Sequence, residues 1–161
     1  LELSQDGVNE AVARGLSVVQ GDADTDLATY PDRSFDVVIL SQTLQATQAP
    51  KKVLEELLRI GKRVIVTIPN FGNWRARLHL LVQGRMPVTK SLPYSWYDTP
   101  NIHFCTLRDF LNLAEEVNAT IEESAALNAK GQRLTLNAPW AVWNLIGAQG
   151  IFVLTADQKA P

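Results

Sequence analysis

The sequence is poor in cysteine, in long apolar runs and in net charge. Cys105 is the single cysteine among 161 residues, which excludes a disulfide within the chain and a cysteine metal cluster, and which suits a reducing cytoplasm. No apolar run approaches the ~20 residues that span a bilayer, and no signal peptide is visible. A net charge of −2 favours neither nucleic acid nor an anionic membrane as a partner.

The composition is typical of a globular protein, and the charged residues are distributed unevenly along the chain. Hydrophobic residues make up 46% and charged residues 20% of a chain that is long enough for one domain, predicted to span 1–161. Residues 1–60 carry an excess of acids, whereas residues 70–105 carry four bases and one acid. This basic stretch predicts either a solvated surface or a site for an anion.

Short apolar runs alternate with helical patterns along the first 70 residues. Strands covered on both faces are predicted for residues 16–20, 35–40 and 63–68, because they contain β-branched runs without polar alternation. Helices are predicted after Ser4, a good N-cap, and from Pro50 to Gly61. This alternation predicts an α/β sheet with βαβ crossovers.

The second half of the chain predicts two helices, an irregular segment and two strands. The helices are expected at 73–84 and from Thr106, and the strands at 119–127 and 150–156, joined by a loop. Residues 70–105 contain long irregular stretches rich in aromatic and basic side chains. They predict a lid inserted within the single domain.

Polar residues follow the predicted strands where each strand ends. Glu2 ends one strand, Asp22 follows the next, and Ser41 and Gln42 follow a third. Ligands of open α/β sheets bind outside the carboxyl ends of the strands. Glu2 suits the two hydroxyls of a ribose, whereas Asp22 and the Ala23 N–H suit an adenine edge. The rim therefore predicts an adenosine site.

The acids beyond this rim and the lone thiol have simpler interpretations. Asp24 and Asp26 are expected to be solvated turn residues. Cys105 is interpreted as a small core residue rather than a nucleophile. No spacing of His, Cys and carboxylate residues is typical of a metal site, so no metal is predicted.

The segments "GDADTDLATYPDRSFDVVILSQTLQATQAP" and "PNFGNWRARLHLLVQGRMPVTKSLPYSWYDTPNIHFCT" resemble class I S-adenosylmethionine-dependent methyltransferases, and most closely the MetW branch of methionine biosynthesis. The resemblance implies a Rossmann-like sheet with helices on both faces. It also implies that the first, central strand and its glycine-rich loop would lie upstream of Leu1. S-adenosylmethionine is then expected as the cofactor of the full-length protein, with weak or absent binding by this chain.

The resemblance leaves the chemistry open. Many members of the family carry a His or an acid after the fourth strand, but residues 41–45 here contain no strong base, so no catalytic residue is assigned. The residues predicted to contact a substrate or a partner are Asn70, Trp74, Tyr94, Trp96, Tyr97 and His103. A structural hydrogen-bonding role for His103 is an alternative.

Three functions follow from the resemblance and remain open. MetW-type proteins are tied to homoserine O-acetyltransferase, which implies an interaction protein that supports this enzyme. The alternative is an active methyltransferase that acts on a small molecule. A related α/β nucleotide-binding protein is the third, because a fold does not dictate a function.

Overall fold

In the computed structural model, the described residues are 1–89 and 94–156. Their helices and strands follow in the order α1 (Gln5–Ala13), β1 (Phe35–Ser41), α2 (Pro50–Ile60), β2 (Gly61–Pro69), α3 (Trp74–Gln83), α4 (Leu107–Glu116), β3 (Ala119–Leu127), α5 (Trp140–Ile146) and β4 (Gln149–Ala156). Two short 3₁₀ turns lie at Asp26–Thr29 and Leu44–Ala46. Lys90 of the predicted lid and residues 157–161 of the predicted domain lie outside the described residues.

The four strands form one mixed sheet in the order β1-β2-β4-β3. β1 and β2 run parallel, whereas β4 runs antiparallel to both of its neighbours. β4 reverses direction because the chain leaves β3 at Leu127 and returns through α5 to Gln149, which lies opposite Leu127. The predicted α/β class is confirmed, and the sheet of the described residues does not include the first, central strand that the resemblance implies.

The core lies where the apolar face of α2 packs beside the central strands. α2 carries apolar residues at helical spacing, and its Val53, Leu54 and Leu57 are almost fully buried. β2 buries Val64, Val66 and Ile68, and β4 buries Phe152 and Leu154. Burial of each such side chain stabilises the fold by about 1.5–3 kcal/mol. This packed layer holds β2 and β4, and with them the ends of these strands, in place.

Local sequence signals correctly predicted where α1, α2 and α4 begin. The Ser4 side chain accepts a hydrogen bond from the Gly7 N–H at the start of α1. Thr106 and Asp109 form a reciprocal capping box at the start of α4. Pro50 begins α2, as its fixed φ and missing N–H favour.

Two expectations about burial are wrong. Residues 16–20 form no buried strand: a single parallel bridge joins Glu2 to Gln20, and Leu16 is 61% exposed. β1 is also exposed, with 66% of Ile39 accessible. Apolar runs become buried strands only when a neighbour covers them, and within the described residues no strand pairs with the outer edge of β1.

The helix predicted at 73–84 is α3, and its apolar Leu81 and Val82 are exposed. The loop predicted around Trp140 contains α5, a helix whose N-terminus has no side-chain cap and so gave no start signal. None of the helices in the described part of the chain is long and apolar enough to cross a membrane.

Candidate functional site

Glu2 is held at the start of α1 by its own neighbours. Its Oε1 accepts hydrogen bonds from the backbone N–H and the hydroxyl of Ser4, both at 3.0 Å. These bonds lower the pKa of the Glu2 carboxyl below its usual value, which keeps it ionised at neutral pH. A Cβ on Gly7 would lie 2.7 Å from Glu2 Cδ, so α1 approaches the carboxylate closely. Glu2 Oε2 has no partner within the described residues.

The backbone brings Glu2 beside the residues that precede Asp22. The Glu2 N–H donates to Val19 O and the Gly21 N–H donates to Glu2 O, each at 3.0 Å, so Asp22 directly follows the bonded pair. Asp22 Oδ1 accepts from the Asp24 N–H at 2.8 Å. Its other carboxylate oxygen and the Ala23 N–H have no partner in the described part of the chain. Free acceptors and a free donor are what an adenosine ligand requires.

Asp24 is not a solvated turn residue, contrary to the prediction. Its Oδ2 accepts from the Gln48 N–H and its Oδ1 from the Ala49 N–H, both at 2.9 Å. Ala49 occupies the N-cap position of α2 and has no side-chain acceptor of its own, so Asp24 supplies the cap from 25 residues away. The sequence signal that could have revealed this role is a helix start without Ser, Thr, Asp or Asn.

Asp26 also differs from the expected solvated turn residue. Its Oδ2 accepts from the Asp22 N–H at 2.8 Å, and its Oδ1 accepts from the Thr25 hydroxyl. These bonds lower the pKa of the Asp26 carboxyl below its usual value. A Cβ on Gly21 would lie 2.6 Å from Asp26 Oδ2, so only a glycine leaves room for this carboxylate. Asp26 therefore fixes the conformation of the Asp22 backbone.

The chain leaves β1 through a strained turn at Gln42. Gln42 has a φ of 50°, a left-handed conformation that glutamine seldom adopts. Its N–H donates to Thr67 O at 2.9 Å and to Thr67 Oγ1 at 3.0 Å, and the hydroxyls of Ser41 and Thr67 lie 3.2 Å apart. Such strained residues cluster at functional sites. Sequence reasoning missed Thr67, which holds the two predicted rim residues in place.

Gln45 joins this turn to the segment that contains His103. Gln45 Nε2 donates to Gln42 O at 2.6 Å and to Asn101 Oδ1 at 3.1 Å, and Gln45 O accepts from the N–H groups of Ile102 and His103. Gln45 is 4% exposed, and its Oε1 is buried without a partner in the described residues. This role could not be predicted, because the contacts with Asn101, Ile102 and His103 span more than 50 residues.

The buried Asn70 side chain is the centre of a hydrogen-bond network at the end of β2. Its Nδ2 donates to Asn144 O and Gly147 O at 2.8 Å, and its Oδ1 accepts from Gly72 N at 2.9 Å and Leu107 N at 3.3 Å. These four bonds use the full capacity of the amide. The Asn70 side chain therefore joins the end of β2 to α4 and α5.

The predicted substrate or partner residues divide among three places. Asn70 and Trp74 line a cavity of about 490 Å³, whereas Tyr94 and Trp96 line a small slot of about 20 Å³ with Phe71 and Phe104. Tyr97 and His103 line neither of these two cavities.

Cys105 lies beside the slot in a half-buried position. Burial and the nearby charge of Asp109 raise the pKa of the Cys105 thiol to about 11, so the thiol is protonated and unreactive at neutral pH. This agrees with a packing role.

Comparison with known proteins identifies relatives of the whole chain. The protein family described as "Methionine biosynthesis protein MetW" matches residues 1–154. A protein of Rhodopirellula baltica named "Bifunctional methionine biosynthesis protein MetXA/MetW" is 33% identical over 150 residues, which is 88% of this chain. The chain spans only 24% of the length of that relative.

Solved structures with a similar fold include proteins named as S-adenosylmethionine-dependent methyltransferases. One from Thermotoga maritima has a TM-score of 0.65 at 21% identity, covering 96% of this chain and 70% of that chain. One from Archaeoglobus fulgidus has a TM-score of 0.60 at 12% identity, covering 94% and 72%. At these identities the likeness shows the class I methyltransferase fold alone.

Proposed function

Since the chain belongs to the MetW family of methionine biosynthesis proteins, we propose that it supports homoserine O-acetyltransferase in that pathway. One observation carries this proposal: the Rhodopirellula relative joins a MetXA part and a MetW part in a single bifunctional protein. Fusion holds two partners at high effective concentration, which favours parts that work in contact. The reducing cytoplasm is the compartment that we assign to this pair.

The proposed cofactor of the full-length protein is S-adenosylmethionine, bound at the rim. The ionised Glu2 carboxylate would accept from the ribose hydroxyls, and Asp22 with the Ala23 N–H would meet the adenine edge. Ser41 and Gln42 would border the site from the end of β1. The methyltransferase fold of the solved neighbours supports this choice. Binding by these 161 residues alone is expected to be weak.

The proposed contact surface for the acetyltransferase is the aromatic part of residues 70–105. Trp96 and Tyr97 are 71% and 75% exposed and form an edge-to-face pair with ring centroids 5.6 Å apart. Exposed Trp and Tyr side chains are the residue types that dominate binding energy at interfaces. His103 lies on the same segment and contributes its backbone N–H to Gln45.

Acetyltransferase activity and co-purification test this function. The acetyltransferase is assayed with and without the full-length protein, and then with its Trp96→Ala and Tyr97→Ala variants. We expect the wild type to raise activity or stability of the enzyme, and each variant to weaken the complex by about 2 kcal/mol. Leu136→Ala, in a separate exposed loop, is the matched control. Failure of the wild type to bind or affect the enzyme would contradict the proposal.

Methyl transfer to a small molecule is the second candidate function. The methyltransferase fold of the solved neighbours supports it, together with the carboxylate oxygens of Glu2 and Asp22 that have no partner within the described residues. The assay is formation of S-adenosylhomocysteine from S-adenosylmethionine with a panel of acceptors. Turnover without any effect on the acetyltransferase would replace the first function with this one.

A further inference from the structure

A cavity of about 490 Å³ has a lining that includes neither Glu2 nor Asp22 among the described residues. It lies between the start of α3, the loop after β3 and the α5–β4 junction. The lining residues include Asn73, Trp74, Arg75, Lys130, Gln132 and Ile146.

The charge of the lining has one sign. Arg75 and Lys130 are its charged residues, and none of the described lining residues is acidic. Neither the Arg75 guanidinium nor the Lys130 ammonium forms an ion pair with a described residue, although other bases of the chain, such as Arg59 and Lys62, do. Unneutralised cations at a concave surface create a positive potential that attracts anions.

Both walls of the cavity are held rigidly by hydrogen bonds. Asn73 Nδ2 donates to Ile146 O at 3.0 Å and to Gly147 O at 2.9 Å, which fixes the start of α3 against the α5–β4 junction. In the opposite wall, Asn128 Oδ1 accepts from Lys130 N at 2.8 Å and Gln132 N at 3.1 Å. A site whose walls are fixed before binding loses little entropy when a ligand enters.

The cavity also offers apolar contacts beside its cations. The Arg75 guanidinium lies 5.4 Å from the centroid of the Trp74 ring, so a cation–π contact orients it. Trp74 and Ile146 supply apolar surface for a carbon skeleton. This combination of cations and apolar walls in one cavity is typical of sites for small organic anions.

We propose that this cavity binds a small organic anion, whose carboxylate or phosphate group is held by Arg75 and Lys130. Binding here goes beyond the proposed function, and it requires neither the cofactor rim nor the acetyltransferase. An anion that pairs with both cations would form charge-assisted hydrogen bonds, which are the stronger class.

Calorimetric titration of the full chain with three probes tests the site. The probes are succinate as a dicarboxylate, glycerol 3-phosphate as a phosphomonoester, and succinamide as the neutral analogue of succinate. We expect one of the two anions to bind at least about tenfold more tightly than succinamide, and its affinity to fall as salt increases. The anion that binds shows whether the acidic group of the ligand is a carboxylate or a phosphate.

Charge-removing variants locate the binding. Arg75→Gln and Lys130→Gln should each weaken anion binding about tenfold, because each removes one charge-assisted contact. Both side chains are exposed and form no ion pair with a described residue, so the variants should keep the wild-type thermal midpoint. Lys52→Gln, an exposed base on α2, is the matched control and should leave binding unchanged.

Three results would overturn the proposal. Neither anion binds the wild type; or the Arg75→Gln and Lys130→Gln variants bind as the wild type does; or Lys52→Gln weakens binding as much as they do. The third result would show that net charge rather than this cavity attracts the anion. If the wild-type protein binds the anion but has no effect on the acetyltransferase, the result counts only against the proposed function.

Discussion

Asp24 connects two segments that are distant in the sequence. Its carboxylate accepts from the N–H groups of Gln48 and Ala49, at the start of the helix that carries much of the core. The same carboxylate follows Asp22, whose Oδ1 accepts from the Asp24 N–H. One side chain therefore holds α2 against the turn that carries Asp22.

The Asp24→Ala variant should lose this cap. The Gln48 and Ala49 N–H groups would then bond to water or to nothing, and a lost cap costs about 0.5–2 kcal/mol. We expect the free energy of unfolding, measured by urea denaturation, to fall by about 1 kcal/mol or more, since two donors are affected.

Asp98→Ala is the control for this change. Asp98 is exposed, and no hydrogen bond or ion pair of its carboxylate is present among the described residues. Its removal should change the free energy of unfolding by less than about 0.5 kcal/mol. Equal effects of the two substitutions would mean that Asp24 acts only through its charge.

Single residues also show how far sequence reasoning reaches. The assignment of Glu2 and Asp22 to a ligand site uses local information, their positions after apolar runs, and it stays a prediction. Gln45 and Thr67 could not be predicted, because their partners lie 56 and 25 residues away, respectively, in the sequence. Asn70 was predicted as a contact residue, but packing turns its amide inward.

At the scale of elements, β1 presents an unusual edge. Val37 and Ile39 are 48% and 66% exposed, and no described strand pairs with the outer side of β1. An exposed apolar edge strand is a template for pairing with another chain. The charged pair of Lys62 and Asp36 at its beginning offers only slight protection, because both side chains are exposed.

The Ile39→Lys variant should reduce self-association of the 161-residue chain. A lysine at the exposed position places a charge on the edge, which blocks pairing between copies. The free energy of unfolding should change by less than about 0.5 kcal/mol, since the side chain is exposed. Light scattering against protein concentration measures the effect.

Leu136→Lys separates edge pairing from a general gain in charge. Leu136 is 53% exposed and lies in the loop before α5 rather than in a strand. This control should leave scattering near the wild-type value. If both variants reduce scattering equally, the β1 edge is not the surface that associates.

Elements with local signals were predicted well, and elements that depend on neighbours were not. The ends of α2 and α4 follow from proline and the capping box, which act within one turn. Residues 16–20 have the composition of a strand, yet only the bridge from Gln20 forms. A strand needs a partner, and the sequence of the strand itself does not reveal whether one is present.

At the scale of the whole molecule, burial is distributed unevenly along the chain. None of the residues of α1 is buried, whereas α2 buries five of its eleven. β2 and β4 pair with each other, and each also pairs with one outer strand, so their backbone hydrogen bonds lie inside the sheet. Regions with few buried apolar contacts open at lower free energy than the core.

Amide hydrogen exchange should therefore divide the molecule into two parts. We expect the amides of α1 to exchange through local opening, at least about a hundredfold faster than those of β2 and β4, because little burial opposes the opening. Mass spectrometry of peptic peptides measures this difference. Uniform protection would show that α1 unfolds only with the core.

The same measurement with S-adenosylmethionine reports on the rim. A ligand that binds only the folded form stabilises it by RT ln(1 + [L]/Kd), so protection should rise first where the local opening energy is lowest. In the full-length protein we expect slower exchange at residues 1–23, which include Glu2 and Asp22, and little change in β3. In the 161-residue chain the effect should be small at the same concentration. Protection confined to α3 and residues 128–132 would place the cofactor in the basic cavity instead, and the rim would then not be the cofactor site.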